Sequence, residues 1–259
     1  MADTAPLSTF EGAWAYASTI PGWLKHGQAR MLWDAVHRLG AGETANPSAP
    51  PATGPTTQPA AAPRIVEIGS HQGRSTVILG VAARQVGAQV TAIDPFVDGR
   101  LFGGQETRAK FEKHIAGAGL SDVVDLIPGY SNTLRGDWRQ PFDLLYIDGK
   151  HDYWTFTDDL RWSTHLPEGG EVLVHDCYSS VGVTLGVLAA VLPGRRYRYV
   201  DRSDSLARFQ VCHPHRGDRV QLLRQMPWFA RNVLIKVLLR LWPGRAVTVL
   251  GHTGPHDPY

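Results

Sequence analysis

The chain has 259 residues, of which 43% are hydrophobic and 19% charged, and its formal net charge is +2. This composition is typical of a folded globular protein and excludes a chain that is disordered throughout. No stretch offers the roughly 20 uninterrupted apolar residues of a membrane-spanning helix, and the first residues lack a secretory signal pattern. Two cysteines, Cys177 and Cys212, are too few for a disulfide scaffold, so we expect free thiols and a cytoplasmic location.

The first 63 residues predict a helical extension followed by a linker. After a Pro-Gly pair, mostly apolar or small residues recur at positions 24, 28, 31, 32, 35, 36 and 39, which is helical spacing. We assign residues 1–40 to a helical N-terminal extension, in which Trp23 and Trp33 pack in the core or form a lid over an acceptor pocket. Residues 41–63 are dominated by Ala, Pro, Thr and Gly, a composition typical of a flexible linker or an exposed loop.

From residue 64 onward, short β-rich runs alternate with helical patterns. The predicted strands are 65–68, 90–94, 123–127, 142–147 and 172–174. Strands that alternate with helices in this way form a parallel sheet covered on both faces, and ligands bind at the carboxyl ends of the strands. Two further runs, 197–200 and 206–211, predict a closing antiparallel hairpin. The pattern therefore indicates a Rossmann-like α/β domain over residues 64–212.

A glycine-rich turn follows the first predicted strand and opens a helix. It reads Glu67-Ile68-Gly69-Ser70-His71-Gln72-Gly73, and its glycines let the backbone approach a ligand near the helix N-terminus. The ExGxxxG spacing is not the GxGxxG of dinucleotide-binding folds, which disfavours an NAD or sugar-nucleotide enzyme. Asp94 ends the second strand, where an acid can accept hydrogen bonds from both ribose hydroxyls. These residues predict a nucleoside ligand without a pyrophosphate; an ordinary strand-turn-helix bend is the alternative.

Two acidic residues end strands in the middle of the predicted sheet. Asp148 follows residues 142–147 and Asp176 follows residues 172–174, so we expect both carboxylates in one crevice, where they need a compensating cation or a raised pKa. An oxygen-rich pair suits a hard divalent ion such as Mg²⁺, although each acid could instead cap a helix. His151 could reach the same pocket as a general base, or it could be a structural histidine.

These motifs resemble those of class I S-adenosylmethionine-dependent methyltransferases, in particular the small-molecule O-methyltransferase branch grouped as methyltransferase family 24. The resemblance covers about residues 64–211, and it depends on the motifs together. They are Val66-Glu67-Ile68-Gly69-Ser70 with Gly73-Arg74-Ser75-Thr76, Ala92-Ile93-Asp94-Pro95, Gly129-Tyr130-Ser131, Tyr146-Ile147-Asp148-Gly149 with His151, Gly169-Gly170 and His175-Asp176. The fold that it implies is an α/β class I methyltransferase with a mostly parallel seven-stranded sheet, a closing antiparallel hairpin and helical extensions at both ends.

The resemblance also implies roles for individual residues toward the cofactor S-adenosylmethionine. Residues around its methionine part would be Glu67, Gly69, Ser70 and Gly73, with Asp94 at the ribose, Tyr130 and Ser131 at the adenine, and Ser75 and Asp148 also in the cofactor site. In metal-dependent members, acids that match Asp148 and Asp176 hold the ion. The next residue here is Cys177, a poor ligand for Mg²⁺, so His175 or water would supply the third ligand.

The sequence thus predicts an enzyme that transfers a methyl group from S-adenosylmethionine to a hydroxyl of a small molecule, such as a sugar or glycoconjugate. Mg²⁺ or another divalent cation on Asp148 and Asp176 would lower the pKa of the hydroxyl, and His151 would take its proton. We count His151 and Asp148 as the candidate catalytic residues. The alternative is a protein that binds the cofactor without turnover and acts as a membrane-surface scaffold.

The C-terminal third is strongly basic. Residues 195–245 contain twelve Lys or Arg and three acidic residues, a net charge of +9. We assign residues 213–259 to a basic C-terminal extension. Nucleic acid is disfavoured as a partner, because the chain has no recognisable nucleic-acid-binding module.

Residues 226–242 of this extension predict an amphipathic helix. Its polar half carries Arg231, Asn232, Lys236 and Arg240, and its apolar half carries Val233, Leu234, Val237, Leu238 and Leu241. The apolar half would pack on the core or on a second subunit of a homo-oligomer, or would lie on an anionic membrane. In the last case the protein would be peripheral on the inner face of the cell membrane.

Overall fold

A computed structural model describes residues 7–42, 62–98 and 103–241. The strands are β1 (Arg64–Ile68), β2 (Gln89–Asp94), β3 (Val124–Pro128), β4 (Leu144–Ile147), β5 (Glu171–Val174), β6 (Tyr197–Ser203) and β7 (Leu206–Val211). The α-helices are α1 (Phe10–Ala17), α2 (His26–Gly40), α3 (Arg74–Val86), α4 (Gln105–Gly117), α5 (Ser131–Asp137), α6 (Tyr153–Leu160), α7 (Val181–Val191), α8 (Arg216–Leu223) and α9 (Met226–Leu241), and a 3₁₀-helix spans Arg161–His165. The predicted linker lies almost entirely outside the described residues.

The strands form one seven-stranded sheet in the order β3-β2-β1-β4-β5-β7-β6. Strands β1 to β5 are parallel, whereas β7 runs antiparallel to both β5 and β6. Ile68 of β1 pairs with Ile147 of β4, which in turn pairs with Val174 of β5. The residues that follow these three therefore leave the sheet side by side. The predicted α/β fold with a mostly parallel sheet and a closing hairpin is confirmed.

Helices cover both faces of the sheet and enclose two apolar clusters. One cluster joins α1, α2 and α3 to the sheet, and the other joins α6, α7 and the C-terminal helices to its opposite face. The predicted stripe of the N-terminal extension lies in the first cluster, with Leu24, Leu32, Val36 and Leu39 all buried. Helix α1 was not predicted as a separate element, because eight residues are too few to show a clear helical period.

The two tryptophans of the extension have different environments. Trp33 packs in the apolar core, as one of the two sequence interpretations predicted. Trp23 is partly exposed, and its ring lies 5.8 Å from the ring of His71, in the turn after β1. Both cysteines are free thiols, and complete burial raises the pKa of Cys177 well above its ordinary value.

Helix α9 forms where the amphipathic pattern predicts it, but the predicted division into a polar and an apolar face is wrong. Asn232 and Ile235 are fully buried, and the ammonium of Lys236 donates to the carbonyl of Ser179 at 2.8 Å. Leu234 and Val237 are instead each 46% exposed. Polar side chains face inward because the buried carbonyls of Tyr178 and Ser179, in the loop after β5, accept hydrogen bonds from them. Among the described residues, no helix combines the length and apolarity that crossing a bilayer requires.

Candidate active site

The turn after β1 is held in a shape that suits glycine. Gly69 has φ +90°, and a Cβ at this position would lie 2.2 Å from the carbonyl oxygen of Asp148. Gly73, at φ +91°, precedes the first turn of α3. Between them, the hydroxyl of Ser70 is buried and has no hydrogen-bond partner within the described ranges. A narrow glycine turn with an unsatisfied hydroxyl at a helix N-terminus fits a polar ligand such as the cofactor's amino-acid part.

Glu67 lies beneath this turn and is completely buried. Its carboxylate accepts hydrogen bonds from the hydroxyls of Ser75 and Thr76, in the first turn of α3. Burial raises the pKa of Glu67 to about 7, although these two hydrogen bonds favour the ionised form. The predicted cofactor residues Glu67 and Ser75 thus contact each other and connect β1 to α3.

Asp94 ends β2 and points toward the same turn. Its Oδ2 accepts the backbone N–H of His71 at 2.9 Å, and its Oδ1 accepts that of Phe96, also at 2.9 Å. Burial raises the pKa of the Asp94 carboxyl, whereas the two backbone N–H groups lower it. Each carboxylate oxygen has a second acceptor site, so the predicted bonds to ribose hydroxyls remain available to it.

The predicted adenine residues lie at the start of α5. The Tyr130 side chain is exposed, and the Ser131 hydroxyl donates to the carboxylate of Asp159 on α6. Asp159 is almost completely buried, and this burial raises its pKa to about 6. Sequence reasoning missed Asp159, because an acid within a helix is ordinarily a solvent-facing residue.

Two carboxylates and two imidazoles cluster where β4 and β5 end. Nδ1 of His151 lies 3.0 Å from Oδ2 of Asp176, and its Nε2 lies 3.6 Å from Oδ1 of Asp148. Nδ1 of His175 lies 3.2 Å from that same Asp148 oxygen and 3.5 Å from Oδ1 of Asp176. The structure therefore brings together four residues that the sequence predicted at this edge: Asp148, His151, His175 and Asp176.

The cluster shifts the pKa of each of its members. Burial alone would raise the pKa of both acids, but the neighbouring imidazoles outweigh it and hold the pKa of Asp148 and Asp176 below its ordinary range. Burial opposes the charged form of His151, yet the two neighbouring carboxylates raise its pKa to about 10. The pKa of His175 is raised for the same reason. Each carboxylate thus lies beside imidazoles whose proton affinity it increases.

The arrangement does not fit the predicted magnesium site. In residues 7–42, 62–98 and 103–241, no three His, Cys, Asp or Glu side chains are placed to hold a metal ion together. Mg²⁺ needs near-octahedral coordination, largely by oxygen atoms, but imidazoles here occupy the space between Asp148 and Asp176. Cys177, at the position of the third ligand, is buried. The magnesium site predicted on Asp148, Asp176 and His175 is therefore not reproduced.

Two further residues contact the cluster from the protein interior. The sequence analysis did not assign them to the site. The Tyr146 hydroxyl donates to Oδ2 of Asp148 at 3.0 Å. Gln28 of α2 is fully buried, and its Oε1 lies 3.3 Å from Nε2 of His175. The sequence contains a signal for Gln28, since a glutamine within an otherwise apolar helical stripe needs a polar partner in the core.

Fold and site together define the class of this protein. The sheet order, the glycine turn after β1 and the acid at the end of β2 are those of a Rossmann-like methyltransferase. Residues 66–177 match the family model of methyltransferase family 24, which is described as a methyltransferase domain. Together with the fold and the site, this match identifies an S-adenosylmethionine-dependent methyltransferase.

Solved structures share this fold at low sequence identity. The cofactor-bound protein Rv0187 from MTB is 16% identical, with a TM-score of 0.55 over 82% of this chain and 92% of that chain. A Podospora anserina methyltransferase bound to S-adenosylhomocysteine is 16% identical, with a TM-score of 0.54 over 80% and 88% of the two chains. The O-methyltransferase TomG from Streptomyces achromogenes is 19% identical, with a TM-score of 0.50 over 77% and 89%.

Proposed function

We propose that this methyltransferase methylates a hydroxyl group of a small molecule and that His151 is the general base. The observation that carries the proposal is the placement of the His151 ring. Its Nδ1 is held by Asp176 at 3.0 Å, and its Nε2 lies beyond hydrogen-bonding distance of Asp148 at 3.6 Å. The side chain is 45% exposed at the carboxyl edge of the sheet. An imidazole oriented at one nitrogen and accessible at the other is the arrangement of a general base.

The bound cofactor would supply a methyl group on a positively charged sulfur, which is already a good electrophile. The turn from Gly69 to Gly73 and the Asp94 carboxylate would hold it. The Ser70 hydroxyl, which has no partner among the described residues, supports this placement. The chain must then orient the acceptor oxygen in line with the methyl group and remove its proton. Neutral His151 would take that proton at Nε2, and Asp176 would stabilise the resulting imidazolium.

Asp148 and His175 have supporting roles in this proposal. The Asp148 carboxylate lies near both imidazoles and accepts from Tyr146, so it contributes to the field that raises the proton affinity of His151. His175 lies near both acids and is too buried to reach an acceptor. In this mechanism neither the proton transfer nor the methyl transfer uses a metal ion.

Two neighbours support a hydroxyl as the acceptor group. TomG and NovP are both described as O-methyltransferases, and NovP is 17% identical with a TM-score of 0.54. Similarity at this level shows only a shared fold, so the choice of a hydroxyl as the acceptor depends on the chemistry of the site. A base with a pKa of about 10 is strong enough to assist an alcohol or a sugar hydroxyl, whose own pKa is far above neutrality.

Isothermal titration of S-adenosylhomocysteine, followed by a screen of hydroxylated acceptors with radiolabelled cofactor, tests the proposal. We expect saturable binding, transfer to an oxygen atom, and no change in either after chelation of divalent cations. Binding without transfer to any hydroxyl would favour the alternative of a protein without turnover. Loss of transfer on chelation, restored by Mg²⁺, would show that a metal site forms here with bound ligands.

The pH dependence of the reaction tests the role of Asp176. In the free enzyme His151 holds a proton at neutral pH, because its pKa is raised to about 10, so kcat/KM is expected to rise with pH. Replacing Asp176 by Asn removes a negative charge 3.0 Å from the ring, which lowers the pKa of His151. The rising limb should shift to lower pH by about one unit or more. Asn tolerates the φ of +54° at this position, and an unshifted profile would contradict the assignment.

A further inference from the structure

An apolar stripe on α9 faces solvent. Pro227, Ala230, Leu234 and Val237 recur at spacings of three and four residues, so they share one side of the helix, and all four are exposed. We call these four residues the outer stripe. Two side chains of α8, Val220 and Leu223, are exposed to a similar degree. Contiguous exposed apolar surface on a folded protein marks a site of interaction.

The opposite side of α9 is anchored by polar bonds as well as by packing. The Asn232 amide donates to the carbonyl of Tyr178 at 3.0 Å, and the Lys236 ammonium donates to that of Ser179. Trp228 and Phe229 pack against the apolar cluster on this face of the sheet. Rolling the helix to bury the outer stripe would break these bonds and expose Ile235. The outer stripe is therefore a fixed surface of the fold.

The charge beside the outer stripe is mostly positive. Residues 216–237 contain five Lys or Arg and one acidic residue, Asp218. Arg216 and Arg224, at the two ends of α8, are both exposed. An apolar helix surface beside cations complements a lipid surface, since the apolar side chains enter the headgroup boundary and the cations attract anionic headgroups.

We propose that the outer stripe of α9, together with the exposed cations of α8, docks this enzyme on an anionic membrane surface. The helix lies flat on the lipid and does not insert across it. Tyr178 and Ser179, which bind α9 through their carbonyls, follow Asp176 by two and three residues. Docking therefore holds the edge of the sheet that carries Asp176 close to the lipid surface.

Sedimentation of the full chain with lipid vesicles tests this surface. We expect pelleting with vesicles of phosphatidylcholine and phosphatidylglycerol in equal parts, weaker pelleting at high salt, and little with phosphatidylcholine alone. The double variant Leu234→Gln/Val237→Gln should lower the partition coefficient by about tenfold or more, because it removes the apolar side chains that enter the lipid. Both positions are half exposed, so we expect an unchanged far-UV spectrum and Tm.

The matched control is Leu185→Gln on α7, where the leucine is 48% exposed, close to the 46% of Leu234. This variant should bind vesicles as the unmodified chain does. Absence of binding to anionic vesicles, or equal loss in both variants, would overturn the proposal. Light scattering supplies a further test. If vesicle binding is absent and the chain forms a dimer that only the α9 variant dissociates, the proposal is also overturned, because the outer stripe then contacts a second copy of the chain.

Discussion

Replacing His151 by Ala is expected to lower kcat by about 10²–10⁴-fold, the contribution typical of a positioned general base. The substituted chain keeps the glycine turn and Asp94, so its Kd for S-adenosylhomocysteine should stay close to that of the unmodified enzyme. Asp148 and Asp176 lose one compensating charge, but His175 remains near both. Single-turnover transfer from labelled cofactor, measured beside calorimetric titration, separates the loss of chemistry from a loss of binding.

A matched control for this substitution is His213→Ala. His213 is an almost fully exposed histidine that lies 3.4 Å from the carboxylate of Glu168, away from the carboxyl edge of the sheet. The His213→Ala substitution removes an imidazole near an acid but leaves the site unchanged, so kcat should not change. A His151→Ala enzyme that transfers the methyl group at the rate of the control would show that the acceptor proton leaves by another route.

Replacing Gly69 by Ala is expected to destabilise the fold and to abolish cofactor binding. The added Cβ would lie 2.2 Å from the carbonyl oxygen of Asp148 and 2.5 Å from its carbonyl carbon, so one of the two loops must move. The φ of +90° adds strain that glycine does not have. The two effects together should lower the free energy of unfolding by roughly 2–5 kcal/mol. Denaturant unfolding and titration of S-adenosylhomocysteine would measure the two losses.

Gly87→Ala separates the steric contact from the backbone strain. Gly87 ends α3 at φ +69°, and a Cβ there would meet no atom of the described residues within 4 Å. Its substitution should cost only about 1 kcal/mol, which is the conformational preference for glycine at such a position. Cofactor binding should be retained. If both variants lost the same stability, the close approach of the β1 turn to Asp148 would not be what requires glycine at position 69.

The sequence predicted the sheet and the meeting of Asp148, His151 and Asp176 for one physical reason. Parallel strands in one sheet end at the same edge, so polar residues that directly follow buried strands converge there. Register confirms this, since Ile147 and Val174 are paired neighbours. Local pattern suffices because each strand is short, apolar and bounded by turn residues.

The detailed pairing of the site could not be predicted in the same way. Gln28 approaches His175 across 147 residues of sequence, and the Ser131 hydroxyl donates to Asp159 between two helices. Such contacts depend on how helices pack on the sheet, which no local pattern specifies. The pairing of two imidazoles with two carboxylates also depends on side-chain distances that no local pattern specifies. The departure from the predicted magnesium site follows from this pairing.

The formation of helix α9 was predictable from the sequence, whereas its orientation on the protein was not. Its spacing of apolar residues determined that a helix would form over Met226–Leu241, because helical periodicity is a local property. Which side would face the protein was decided by its surroundings, where the carbonyls of Tyr178 and Ser179 accept from Asn232 and Lys236. Buried carbonyls need donors more than two half-exposed aliphatic side chains need burial. The sequence by itself therefore determined the elements and the catalytic edge, and only the tertiary structure decided the orientation of α9 and the charge balance of the site.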